Sequence, residues 1–286
     1  MMALALALLL AAATPDARPE PGEVIAAAPD SDWRRIPAEE LIGFETTAGT
    51  MVLQLAPDFA PWHVERLRQL VKNGAFNGGA ITRVQENYVL QWSVKHPGTT
   101  PEMPRNHPGN PPEMPYERPE KPLKFTPLGY PDPFGEAGFV NGWPVARDRK
   151  TRTLWPVHCH AMVGVGRDMP PDIGDSSELY AVIGHAPRHL DRNLAIIGRI
   201  IDGFAEHTAL KRGTGPLGTY QSDEEKTNII KAYFMNPDTG YEYLNTSGKR
   251  FASYRHARAN RGSFFIRPAG TIDVCNVPVP LRKVQK

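Results

Sequence analysis

The chain has 286 residues, enough for one large domain or two ordinary ones with a substantial core in either case. Hydrophobic residues make up 41% and charged residues 22%, the composition of a globular protein. The 33 basic and 31 acidic side chains leave a net charge of +2 with no basic stripe, which gives no support for nucleic acid as the main partner.

Residues 3–13 are an unbroken run of Ala and Leu. A spanning helix needs ~20 apolar residues, so this run is too short to cross a bilayer. Small residues and Thr14-Pro15 follow it, although no Lys or Arg precedes it, and residues 1–25 read as a signal peptide and leader cleaved near Ala12 or Ala13. That places the mature protein in the periplasm or outside the cell, with no stable membrane span. Cys159 and Cys275 would then sit in an oxidising compartment. They are either a disulfide or two buried thiols, because sequence does not report their distance.

Beyond a leader reaching about Asp32, "LIGFETTAGTMVLQL" reads as two strands broken at Ala48-Gly49. In "APDFAPWHVERLRQLVKNGAF", Val64, Leu67, Leu70 and Val71 mark an amphipathic helix that stops near Asn73-Gly74. Strand-like runs resume at 80–82, 88–92, 161–165, 179–183 and 194–201. Residues 95–157 form a Pro- and Gly-rich insertion. Its first half cannot form regular structure because proline removes donors and fixes φ. Its second half holds Phe125, Tyr130, Phe134, Phe139 and Trp143, enough aromatic area to pack on a surface and narrow or extend a groove. A second short helix is expected in "GFAEHTALKRG" and a last strand in "NIIKAYFM". Residues 236–286 form a tail with one strand-like run at 263–266. Many short strands with two helices point to a mainly β fold, a closed antiparallel barrel without free edges.

The stretch "ITRVQENYVLQWSV" sets Arg83 and Gln91 among residues that read as the wall of a sheet. With "TTAGTMVLQLAPDFAPWHVERLRQLVKNGAF", "VGVGRD", "SSELYAVIG" and "HLDRNLAIIGRIIDGF", it runs in the order found in the cyclophilin family of peptidyl-prolyl isomerases, which the chain resembles over 44–204. A strand at 229–234 would complete the barrel. The resemblance implies a cyclophilin-like domain over 40–235, a barrel capped by two helices and interrupted by the long irregular insertion at 95–157.

It also implies isomerisation of X-Pro bonds in proline-containing segments of unfolded, exported proteins, by a monomer without a cofactor. The other reading is a catalytically weak module that only holds such segments. Arg83 matches the donor to the prolyl nitrogen, and Gln91 the amide that orients it. Tyr88, Val89, Tyr180 and Leu190 match the apolar proline pocket, both tyrosines standing where the family usually has Phe. Other positions depart from the pattern. Glu178 replaces a Gln, His189 an aromatic residue and Leu194 a His. Gly166 and Arg167 stand where Ala and a backbone-binding polar residue are usual, and Trp92 replaces a Gly. Glu178 either pairs with Arg83 or lies exposed at the rim. His158, Cys159 and His160 lack the spacing of a zinc site, so no metal is expected.

Overall fold

The computed structural model describes residues 19–96, 116–261 and 265–284. Most of the signal-peptide segment, the run 97–115 and part of the strand expected at 263–266 lie outside the described residues. Helix α1 (Pro21–Ala26), strands β1 (Trp33–Arg35), β2 (Leu41–Thr46) and β3 (Gly49–Leu55), helix α2 (Pro61–Lys72), and strands β4 (Ala80–Val84) and β5 (Val89–Ser93) precede the insertion. The insertion carries β6 (Arg118–Pro119), β7 (Thr126–Pro127), β8 (Glu136–Val140), β9 (Trp143–Asp148) and β10 (Thr153–Pro156). Then follow β11 (Met162–Val165), β12 (Glu178–Val182), β13 (Ile196–Asp202), α3 (Phe204–Thr208), β14 (Thr227–Phe234), β15 (Gly240–Leu244), α4 (Lys249–Ala259) and β16 (Leu281–Val284).

Eight antiparallel strands close the expected barrel in the order β11-β12-β5-β4-β14-β2-β3-β13. Closure pairs every strand edge of the barrel, so no row of backbone donors is left exposed there. Alternate residues point inward, and Phe44, Leu53, Leu90, Trp92, Val163 and Leu179 fill the interior. Helix α2 starts at Pro61, where a missing N–H costs nothing, and lays Val64, Leu67, Leu70 and Val71 on this core.

Two parts differ from the sequence reading. The described part of the insertion is a five-stranded antiparallel sheet, β6-β10-β9-β8-β7, rather than irregular chain. Its β8–β9 turn is Asn141-Gly142 with φ of 47° and 84°, the left-handed pair that a tight hairpin requires. Phe139, Val145, Leu154 and Trp155 of this sheet pack with Phe251 and Tyr254 of α4 and with Ala56, Met162 and Ile196 from the barrel. Phe125 and Tyr130 lean on this second core, whereas Phe134 stays exposed. Secondly, there are four helices among the described residues rather than two, because α1 and α4 form in the leader and tail. The tail also supplies β15 and β16, which sheet with β1.

Cys159 and Cys275 are bonded, with Cα atoms 5.0 Å apart, which joins the end of the insertion to the C-terminal segment. Among the described residues no helix is long and apolar enough to cross a membrane.

Candidate functional site

Strand register assembles the site. Arg83 on β4 lies opposite Gln91 on β5, Gln91 opposite Tyr180 on β12, and Tyr180 opposite Gly164 on β11. Because side chains alternate, this row faces away from the barrel core, and Val89 and Glu178 share its face. Trp92 must then point inward. It is fully buried and packs edge-on against Phe44 at 5.7 Å, so it belongs to the core and not to the groove.

Three acceptors hold the Arg83 guanidinium. Nε donates to the Leu217 carbonyl at 2.7 Å, Nη1 to Gln91 Oε1 at 3.1 Å, and Nη2 to Gln85 Oε1. The Leu217 carbonyl reaches it from the 213–220 loop, which runs along β4 through a bridge from Thr219 to Arg83. Leu217 has φ of 56°, a left-handed conformation that costs a branched side chain about 1–3 kcal/mol. Gln91 is fixed from its other end, since its Nε2 donates to Glu178 Oε1. Gln91 thus lies between Glu178 and Arg83, so the two charges are linked through its amide and not by the direct ion pair entertained from sequence. Burial lowers the Arg83 pKa, and the nearby Tyr88 and Glu178 oppose that fall. Arginine stays charged at any working pH.

Tyr88 lies 5.6 Å from the Arg83 guanidinium carbon and is parallel to His189, with ring centroids 6.4 Å apart. The β4–β5 turn sets this ring. Asn87 takes φ of 52°, its side chain accepts from His185 N at 2.8 Å, and the Tyr88 carbonyl accepts from Ile183 N at 2.9 Å. Val89 and Tyr180 are buried wall residues, while Leu190 and Leu194 are half-buried on the segment that follows β12. The Tyr180 hydroxyl finds its partner in His158 Nε2, 2.8 Å away.

Gly166 borders Glu178, where an added Cβ would sit 3.2 Å from the Glu178 Cγ. The Arg167 side chain donates to the Asn193 carbonyl at 3.2 and 3.0 Å and to the Asp168 carbonyl at 2.7 Å. It thus ties the 166–168 loop to the segment carrying Leu194. Cys159 is consumed by the disulfide, and His160 rests on Phe204, so the His-Cys-His run presents no shared face. Among the described residues no cluster of three His, Cys, Asp or Glu side chains could hold a metal.

The loop before β12 is anchored on His63, whose Nε2 meets the Ile173 carbonyl at 3.0 Å and whose own carbonyl accepts from Ser176. Burial pushes the His63 pKa down from 6.5 to about 4. The unfolded chain therefore takes up the proton first. Stability from this group is complete above about pH 6.5 and is lost as pH falls from there toward 4. The expected slope is up to about 1.4 kcal/mol per pH unit in denaturant titrations. His63→Gln should flatten it, and an unchanged slope would rule His63 out as the source.

Sequence reasoning missed Gln85 and Leu217, and weighed His158 only as a metal ligand. Gln85 was within reach, since residues two apart on a strand share a face. The Leu217 contribution is a backbone carbonyl and carries no side-chain signal.

The site is thus a fixed guanidinium–amide pair on the outer face of a closed antiparallel barrel, flanked by aromatic rings. The model of the cyclophilin-type peptidyl-prolyl cis-trans isomerase family matches residues 41–233, and the chain belongs to that family. It is similar over 43 residues to a probable peptidyl-prolyl cis-trans isomerase of Brucella suis (44% identity) and to one of Brucella abortus (42%). Those stretches cover 15% of this chain, and the chain spans only 22% of the length of these curated relatives. Its fold is similar to the crystal structure of a cyclophilin from Hirschia baltica, with a TM-score of 0.70 and 22% identity over 92% of this chain and 96% of that one.

Proposed function

We propose that this chain accelerates cis–trans isomerisation of X-Pro bonds in exported proteins as they fold, acting as a monomer without a cofactor. The observation that carries the reading is the held guanidinium of Arg83. Of its five N–H groups, three have protein acceptors, and the remaining two have none among the described residues.

The planar imide resists rotation with a barrier of about 18–20 kcal/mol because resonance gives its C–N bond partial double-bond character. In the twisted transition state the prolyl nitrogen is pyramidal and regains its lone pair. A fixed cationic donor beside that nitrogen binds the twisted state better than the planar one, and this difference is what lowers the barrier. Tyr88, Val89, Tyr180 and Leu190 supply apolar surface for the proline ring. The exported setting is supported by the N-terminal Ala/Leu run and by a disulfide suited to an oxidising compartment.

The test is a protease-free isomerisation assay on a proline tetrapeptide, whose uncatalysed relaxation takes about 10–100 s. Acceleration at micromolar protein supports the enzyme. Binding without acceleration identifies the holding module instead.

Glu178→Gln refines the electrostatic picture. The amide keeps an acceptor for Gln91 but removes a negative charge that offsets the Arg83 field. The expected result is a rise of about two- to fivefold in kcat/KM, the scale of a partly exposed charge pair. An unchanged or lower value would show that the carboxylate does not act against Arg83.

A further inference from the structure

The wall of the proposed proline pocket is tied to the accessory layer by one continuous buried chain of hydrogen bonds. It starts at Tyr180. The ring crosses β11 at Gly164, where an added Cβ would lie 2.2 Å from the Tyr180 hydroxyl oxygen, so only glycine leaves it passage. Beyond Gly164 the hydroxyl meets His158 Nε2 at 2.8 Å, with the two rings parallel within 6°. His158 Nδ1 lies 2.9 Å from Asp191 Oδ1, and the same oxygen accepts from the His158 backbone N–H at 3.0 Å.

An ionised carboxylate only accepts, so Nδ1 carries the proton and the Nε2 lone pair is left for the tyrosine O–H. Burial pushes the His158 pKa down, which keeps the ring neutral and this arrangement intact. Burial raises the Asp191 carboxyl, but the His158 and Arg188 N–H groups more than reverse that and leave it below the usual range.

The chain continues into the insertion. Arg188 Nε donates to Asp191 Oδ2 at 2.6 Å, and its two terminal nitrogens fork onto Asp132 at 2.9 and 3.1 Å. The Arg188 and Asp132 side chains are 3% and 1% exposed, so this pair is shielded from solvent. Cys159, the residue after His158, is bonded to Cys275 of the C-terminal segment.

A Tyr-His-Asp order suggests a nucleophilic relay, but the setting excludes one. The tyrosine is 5% exposed, burial holds its hydroxyl well above the usual phenol range, and its oxygen is directed at His158 rather than at the groove. What the series does is hold a ring in place. We infer that His158 is a positioning residue, which fixes the Tyr180 wall of the proline pocket through the tyrosine hydroxyl and so places that wall under the control of the insertion and the C-terminal segment. The inference rests on the isomerase reading proposed above.

The test is a double-mutant cycle read on an N-capped Ala-Ala-Pro-Phe peptide. His158→Leu leaves the Tyr180 hydroxyl buried without an acceptor, and the expected result is a rise in Kd of about tenfold, with kcat on bound peptide changed less than about twofold. His158→Leu/Tyr180→Phe removes the stranded hydroxyl and should return Kd to within about twofold of Tyr180→Phe alone. A histidine that merely supports the fold would show no such rescue.

Should His158→Leu fail to fold, His158→Asn runs the same cycle, because it keeps a donor for Asp191 but is too short to reach the hydroxyl. A double variant as weak as the single one, or a single variant with unchanged Kd, overturns the inference alone. A wild-type protein that neither binds nor turns over the peptide overturns the isomerase reading and the inference with it.

Discussion

Replacing Arg83 with alanine is expected to lower kcat/KM about 100- to 1000-fold while raising the Kd of a proline peptide less than about threefold. The asymmetry follows from where the charge acts. In the proposed mechanism the ground state is held mainly by apolar contact of the proline ring with Tyr88, Val89, Tyr180 and Leu190, which the substitution leaves in place. In the same proposal the guanidinium favours the twisted imide, whose nitrogen has a lone pair to offer. Arg83→Lys should recover only part of the rate. A lysine ammonium is a point charge that cannot reproduce the three-way hold by Leu217, Gln85 and Gln91. Progress curves with and without each variant check this. Equal losses in binding and turnover would mean that Arg83 is a binding residue rather than a transition-state donor.

Removing the disulfide should produce the largest loss of stability. The Cys159–Cys275 bond spans 116 residues, and constraining a loop of that size in the unfolded chain is worth about 4–5 kcal/mol. For a chain of this size each kcal/mol moves Tm by about 2–4 °C, so Cys159→Ser/Cys275→Ser should melt roughly 8–20 °C lower. Calorimetry with and without reductant gives the comparison. Reductant should lower the wild-type Tm by a similar amount and leave the serine variant unmoved. A shift under about 3 °C would show that the second core of Phe139, Trp155 and Phe251 holds the C-terminal segment in place without the bond.

The barrel was legible because its signals are local: short strand-like apolar runs in "GTMVLQL" and "NYVLQ", and helical spacing in "HVERLRQLVK". The Arg83–Gln91 pairing was legible through the family resemblance, whose motif carries both residues, and the structure bonds them across neighbouring strands. What escaped had a definite physical reason. Proline content masked the insertion sheet, although Asn141-Gly142 between Phe139-Val140 and Trp143 is a strong hairpin signal that composition alone overrides. Trp92 could have been placed in the core by parity, since it neighbours Gln91 on one strand and must face the other way. The Tyr180–His158–Asp191 series joins residues 22 and 33 positions apart through tertiary packing, which no periodicity reports. Glu178 shows the same limit, because sequence left it either paired with Arg83 or exposed at the rim, and packing set Gln91 between the two.

The most direct measurement is the cis–trans exchange rate of a proline peptide at saturating protein, followed by two-dimensional exchange NMR for the wild type and Arg83→Ala. The account predicts fast exchange on the wild type and exchange slowed at least about 100-fold on the variant, with the bound fraction nearly unchanged. Equal exchange rates on the two proteins at equal saturation would contradict it.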